Sequence, residues 1–255
     1  MTDDGLRIER SDGVLRLTID RPDRLNALTP AIVEQALAEV EAASGDGTRV
    51  IVLTGAGRAF SSGADVGPDG APPGLQLLDL ANAFTLALTG SPCVVIAAVN
   101  GIAAGVGCSF ALAADLTIAK ESASFMLAFT RIGLMPDGGA SLLVPAAVGR
   151  ARAARMALLA ERIPARQAAE WGLIAEAVAD EEFDARIEQL VEQTSNGAPL
   201  AYAATKRTLN EATLGDLRSV LAAERERQGQ LLTTADFAEG IAAFQDKRAA
   251  QFGGS

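Results

Sequence analysis

Two stretches decide how this chain is read: Ala97-Ala-Val-Asn-Gly-Ile-Ala-Ala-Gly-Val-Gly-Cys108 and Ile132-Gly-Leu-Met-Pro-Asp-Gly-Gly139. The first is an apolar, strand-like run that breaks into a glycine turn and then enters a helix. The start of a helix leaves backbone N–H groups without partners, and the helix dipole there favours negative charge. Such a turn can hold an anion or an enolate oxygen. The second stretch carries one carboxylate, Asp137, in a loop that leads into another helix. An N–H site beside a carboxylate points to acid/base chemistry on a carbonyl compound.

Composition narrows the field. The chain has 255 residues, of which 49% are apolar, enough for a sizeable core and too apolar for disorder. Its net charge of −10 and the lack of a basic stripe argue against nucleic acid. No basic-then-apolar N-terminal signal and no apolar run of membrane-spanning length is visible. Two cysteines, Cys93 and Cys108, both in apolar surroundings, imply a reducing compartment. The expectation is a cytoplasmic protein with no membrane partner. Histidine is absent altogether, which removes Ser-His-Asp and Cys-His nucleophiles and every His-ligated metal site. Proton transfer must fall to Asp, Glu, Lys, Tyr or Cys.

Periodicity sets the organisation. Residues 6–10 and 14–20 alternate as strands around Ser11-Asp12-Gly13. Thr29-Pro30 opens a helix that runs to Ala43. Residues 49–54 and 93–99 read as buried strands, 75–89 as a helix, and the Gly/Pro-rich 67–74 as a flexible loop. Beyond Ser141 helices dominate, over 140–148, 151–160, 165–171, 181–194, 200–212, 217–231 and 235–249. One strand is expected within Gly172–Val178. The reading is α/β: a core with the active site over 1–195, then a helical region over 196–255.

A second glycine turn, Gly55-Ala-Gly-Arg-Ala-Phe-Ser-Ser-Gly-Ala-Asp-Val66, also follows a buried strand. Taken alone it is an ordinary turn in which glycine supplies positive φ. The phosphate-loop and dinucleotide glycine patterns are not met. Two such turns together can place two N–H donors around one oxygen, as in an oxyanion hole.

These segments resemble the enoyl-CoA hydratase/isomerase (crotonase) superfamily. The likeness runs through Asp20-Arg-Pro-Asp-Arg-Leu-Asn-Ala-Leu28, the two glycine turns, Ile132–Gly139, Val148-Gly-Arg-Ala-Arg152, Glu170-Trp-Gly-Leu-Ile174 and Phe244–Phe252, in family order. It implies a ββα spiral core with a helical C-terminal trimerisation region, assembled as a homotrimer or hexamer. It implies an acyl-CoA thioester as substrate, with no separate cofactor and no metal. The thioester oxygen would accept from the N–H groups of Ala64 and Val106. Arg24 and Lys247 match positions that reach coenzyme A, Ala64 also faces it, and Phe129, Ser109 and Met135 would line the acyl pocket.

The resemblance also distinguishes subfamilies. Its hydratases carry two glutamates; the corresponding positions here are Ser109 and Phe129. Neither side chain can activate water or protonate C2. Asp137 stands where some family isomerases, among them ring-epoxide phenylacetyl-CoA isomerases, hold a carboxylate. One carboxylate suffices to shift a double bond. Apolar neighbours Leu127, Phe129 and Met135 would raise its pKa. The structural alternative for Asp137 is an N-cap on the following helix; for Arg21 and Arg24 it is solvated surface. Three functions stay open at this point: an enoyl-CoA isomerase, a hydratase with noncanonical residues, and an acyl-CoA binding protein without chemistry.

Overall fold

The computed structural model describes residues 5–67 and 74–255, so most of the glycine- and proline-rich loop expected over 67–74 lies outside the described residues. The strands are β1 (Leu6–Ser11), β2 (Val14–Ile19), β3 (Val50–Gly55), β4 (Ala59–Ser61), β5 (Val94–Val99), β6 (Ile102–Ala104), β7 (Leu116–Lys120), β8 (Ser124–Met126), β9 (Ile163–Pro164) and β10 (Glu176–Val178). The helices are α1 (Pro30–Ala43), α2 (Leu75–Gly90), α3 (Val106–Leu112), α4 (Ala140–Leu159), α5 (Ala165–Trp171), α6 (Phe183–Ser195), α7 (Pro199–Thr213), α8 (Leu217–Leu231) and α9 (Ala235–Gln245).

The chain winds between two sheets. One is ordered β1-β2-β3-β5-β7-β10, the other β4-β6-β8-β9. Three strands of the first sheet turn straight into a short strand of the second: β3 into β4, β5 into β6, β7 into β8. Both sheets are parallel through these units, with β1–β2 and β8–β9 antiparallel. The β1–β2 hairpin follows from its turn: Asp12 and Gly13 both have positive φ, the conformation that matches strand twist.

The turns between sheets depend on glycine. A Cβ on Gly55 would lie 2.2 Å from the Ala59 carbonyl oxygen, and one on Gly101 would lie 2.1 Å from that of Arg58. Only a residue without Cβ lets these backbones approach so closely. The layers close around two apolar clusters. The larger joins the facing sides of the sheets to α1–α5. The smaller sits on the opposite face of β3, β5 and β7, where α6 lays Phe183, Ile187, Leu190 and Val191 at helical spacing. Central strands buried on both faces read as unbroken apolar runs, as Val50-Ile-Val-Leu53 does.

The structure departs from the sequence expectation at several elements. The short strands β4, β6, β8 and β9 and the strand β7 were not expected. The helices expected over 140–148 and 151–160 are one element, α4, interrupted at Gly149, where φ is 75° and ψ 163°. Of Gly172–Val178 only the last three residues pair, with β7. Helix α9 ends at Gln245, short of Ala249. The last three helices also pack on the core of their own chain. Leu217 and Leu221 of α8 are 5% and 3% exposed within this one chain.

Candidate active site

The two glycine turns meet. Gly63 has φ 93°, and a Cβ there would sit 2.9 Å from the Ala104 carbonyl oxygen and 3.4 Å from the Cα of Gly105. Gly105 has φ 53° and faces Gly63 in turn. The next residues are Ala64 and Val106. Leu28 bridges to Ala64 in parallel, using the Gly63 carbonyl and the Asp65 N–H. That pairing leaves the Ala64 N–H off the ladder. Val106 is the first residue of α3, where N–H groups lack partners inside the helix; the Gly105 carbonyl is taken by Cys108 and Ser109 further along.

Two asparagines brace these turns. Asn26 is fully buried; its Nδ2 donates to the carbonyls of Ala56 at 2.9 Å and Ala59 at 2.6 Å, and its Oδ1 accepts from the Arg21 N–H. Asn100 Nδ2 donates to the Gly57 carbonyl at 2.8 Å, and its Oδ1 accepts from the Gly55 N–H. Arg21 is no loose surface charge: it pairs with Asp65 at 2.9 Å and donates to the Ala27 carbonyl.

The loop of Asp137 is tied to the same place. Ser109, on α3, donates its hydroxyl to the Asp137 carbonyl at 2.7 Å. Gly138, at φ 63°, packs against Ser109 and Val106, where a Cβ would lie 3.0 Å and 3.3 Å from them. Thr85 of α2 donates to the Gly138 carbonyl at 2.9 Å. The C-terminal helices hold the loop from the other side. Gly240 of α9 sits so close to Ile132 that a Cβ would fall 2.5 Å from its backbone. On α8, Gln228 donates through Nε2 to the Met135 carbonyl and to Asp137 Oδ2, both at 2.9 Å, and its Oε1 accepts from the Met135 N–H.

Asp137 does not cap α4. The N–H groups of Gly139 and Ser141 donate to Glu224 of α8, at 2.8 and 2.9 Å. Among the described residues the Asp137 carboxyl has a single hydrogen bond, the one from Gln228. Its Oδ1 is sealed from solvent and has no hydrogen-bond partner among the described residues. Burial pushes its pKa up to about 7; the Gln228 hydrogen bond works against that rise, and the charge of Glu224 adds to it. A carboxyl poised near neutrality can both take and return a proton. Cys108 cannot compete, because complete burial pushes its thiol up to about 12.

The sequence and the fold both have relatives among known proteins. The family model for enoyl-CoA hydratase/isomerase matches residues 9–255. The chain belongs to the enoyl-CoA hydratase/isomerase family. It is 46% identical over 253 residues to a probable enoyl-CoA hydratase of Rhodobacter capsulatus, covering 98% of each chain. It is 39% identical over 252 residues to the 1,2-epoxyphenylacetyl-CoA isomerase of Escherichia coli, covering 95% of each. Among solved structures, an enoyl-CoA hydratase from Mycobacterium avium subsp. paratuberculosis superposes with a TM-score of 0.93 at 45% identity, covering 98% of each chain. The two-sheet spiral described above is thus a crotonase fold.

Other expected residues of this hydratase/isomerase family member fall in distinct places. Ser109 and Phe129, which replace the hydratase glutamates, are buried, at 0% and 7% exposure. Neither lines the open apolar cavity of about 540 Å³ that lies between the start of α2, the end of α8 and α9, walled by Leu75, Leu232, Phe237 and Ile241. Met135 is half-buried, with its backbone held by Gln228. Arg24 is exposed at the corner of the Gly55–Val66 turn, its guanidinium near Gly67 and close enough to Asp65 to help hold that carboxyl below its usual range. Gln245 donates to the Val66 carbonyl at 3.3 Å, so the end of α9 reaches the same corner, with exposed Lys247 two residues on. Among the described residues no helix is long and apolar enough to cross a membrane. Sequence reasoning missed Asn26, Asn100, Glu224 and Gln228. The two asparagines carried a signal, since each adjoins a turn in which Asn is favoured.

Proposed function

We propose that this chain is an enoyl-CoA isomerase in which Asp137 shuttles one proton. A single observation carries the reading: a carboxyl with one oxygen sealed and unpartnered, in a loop bonded directly to the helix that begins at Val106. In the proposed reaction a 3-enoyl-CoA thioester places its carbonyl oxygen on the N–H groups of Ala64 and Val106. The Asp137 carboxylate takes a proton from C2, made acidic by the thioester. The C3–C4 double bond moves to C2–C3 as negative charge develops on the oxygen and at C4, and the neutral Asp137 returns the proton to C4. No atom is gained or lost, and the two N–H donors stabilise the dienolate. Arg24 and Lys247 supply charge for the phosphates of coenzyme A in an otherwise acidic protein. No cofactor or metal takes part in this scheme.

Hydration is the second reading, since the relative at 46% identity bears the name probable enoyl-CoA hydratase. The residues here weigh against it: the Ser109 hydroxyl is already committed to a carbonyl, and Phe129 has no proton to give. Product identity separates the readings. Incubation with 3-enoyl-CoA, 2-enoyl-CoA and ring-epoxide phenylacetyl-CoA, followed by mass and chromatographic assignment, is expected to give an isomer of unchanged mass. A 3-hydroxyacyl-CoA, heavier by one water, establishes hydration instead. Thioester binding without turnover leaves only the binding protein.

We also propose a homotrimer or hexamer in the cytoplasm. Support comes from Leu158 and Leu159 at the end of α4, 72% and 70% exposed, and Leu200 on α7, 85% exposed, which a single chain leaves in water. Light scattering at micromolar concentration is expected to give a multiple of three chains; a stable monomer rules this assembly out.

A further inference from the structure

The proposed mechanism uses Asp137, yet the only side-chain hydrogen bond to its carboxyl among the described residues comes from a residue 91 positions further along the chain. Gln228 is 2% exposed and spends all its polar capacity on this loop: its Oε1 on the Met135 N–H, its Nε2 on the Met135 carbonyl and on Asp137 Oδ2. One helical turn earlier, Glu224 is 1% exposed, and both its oxygens accept backbone N–H bonds, from Gly139 and Ser141. Both N–H bonds favour the ionised form of Glu224, burial works against it and raises its pKa, and its charge adds to the rise at Asp137. The two side chains grip the residues on either side of the carboxyl and act on it with opposite sign. A donor to Oδ2 favours the ionised form, and a neighbouring anion disfavours it.

We propose that Glu224 and Gln228 of α8 are positioning residues for Asp137: the amide holds Oδ2 and so fixes the aim of the carboxyl, while the carboxylate holds the loop by the N–H groups of Gly139 and Ser141 and sets a negative charge near it. Among the described residues, the other side chains hydrogen-bonded to this loop, Ser109 of α3 and Thr85 of α2, bond backbone carbonyls and carry no charge; Asp236 of α9 abuts Gly133 through its backbone, and its carboxylate is taken by the N–H groups of Gly253 and Gly254. The other charged residues of this stretch of α8, Arg225, Glu226 and Arg227, are exposed. The C-terminal helical region therefore does more than offer a surface for assembly; it completes the acid/base group.

This inference rests on Asp137 being the proton shuttle, and its test separates the two. The Asp137 carboxyl is titrated by infrared difference spectroscopy on the full-length protein, with Asp137→Asn subtracted, and the acidic limb of kcat/KM is followed in parallel with a 3-enoyl-CoA. Gln228→Met removes the donor at nearly constant volume. It is expected to raise the titration midpoint by about one unit and to lower kcat about tenfold, with KM little changed. Glu224→Gln removes the charge and is expected to move the midpoint down. Gln228→Glu adds a second acid and is expected to raise the upper apparent midpoint further than Gln228→Met does. This last comparison stands even where Glu224→Gln does not fold. A merely structural clamp predicts the same loss in all variants with the midpoint unmoved, and that result overturns the inference. Spectroscopic shifts of the expected signs, with Asp137→Asn fully active, uphold the positioning and overturn the proposed function. An inactive Asp137→Asn with no shifts does the reverse.

Discussion

Burial raises the pKa of two aspartates of this protein, Asp115 and Asp137, and the groups that meet them differ. Asp115 meets Lys206 of α7 at 2.8 Å and accepts the Val95 N–H at 2.8 Å; its side chain keeps 23% exposure. Lys206 is 8% exposed and also donates to the carbonyls of Leu88 and Cys93. Burial raises the pKa of Asp115, and the cation beside it pulls the other way. Asp137 meets an amide and, beyond it, an anion, and no cation is paired with it among the described residues. Both carboxyls lose hydration. One recovers it through an ion pair that fastens α7 to the end of α2 and to the sheet. The other recovers little and is left near neutrality with a bare oxygen. The sign of the partner separates a carboxyl that holds the fold from one suited to chemistry.

Exchanging the two fates is the sharpest way to break this contrast. Asp137→Asn is expected to lower isomerisation about 10²–10⁴-fold, the range for a lost general acid/base, with coenzyme A thioester binding nearly unchanged. Stability should move the opposite way. The folded-state pKa of Asp137, about 7, lies above the unfolded value of about 3.9. Its contribution to stability is therefore full below the unfolded value and is lost as pH rises through the folded one. The melting temperature of Asp137→Asn minus that of wild type should thus grow from pH 5 to pH 8. A variant that is inactive and uniformly less stable would make Asp137 another structural carboxyl.

Asp115→Asn and Lys206→Met test the other half. Each should cost about 1–3 kcal/mol by denaturant unfolding, less than a fully buried pair would, because Asp115 is partly solvated. Activity per folded molecule should stay within a few-fold of wild type. A loss of activity without loss of stability would show that the α7 pair also reaches the site.

The pH profile refines the comparison. Wild-type kcat/KM for a 3-enoyl-CoA should fall as pH drops below about 7, tenfold per unit at the limit, because only ionised Asp137 takes the C2 proton. A limb near the ordinary aspartate value would mean that the carboxyl is better solvated than its sealed Oδ1 implies.

The smallest effects are expected at the exposed cations. Arg24→Ala and Lys247→Ala should each weaken acyl-CoA binding by about 1 kcal/mol, with kcat largely kept and the difference shrinking as salt is added. Wild-type affinity in both variants at low salt would leave these as surface charges.

What was legible in the sequence was local. The hairpin at Asp12-Gly13, the cap at Thr29-Pro30, the buried runs of β3 and β5, the two glycine turns and the carboxylate of Asp137 are each written in a few adjacent residues, because turn chemistry and periodicity act over that range. The three-residue strands β4, β6 and β8 were not legible; segments so short carry no period, and only their pairing across the second sheet makes them strands. Nor was the surrounding of Asp137. Burial is the largest cause of its raised pKa, in the direction expected from apolar Leu127, Phe129 and Met135. The hydrogen bond from Gln228, which opposes the rise, and the charge of Glu224, which adds to it, were not legible. These two residues lie in Glu224-Arg-Glu-Arg-Gln228, a run that reads as a solvated helix face. Their i, i+4 spacing puts both on one side of α8, but spacing does not say what that side meets. Sequence alone determined which backbone turns and which carboxylate this protein has. Tertiary structure decided which carboxylate is stranded, because desolvation and the sign of the nearest charge depend on groups that are distant in the chain and adjacent only after folding.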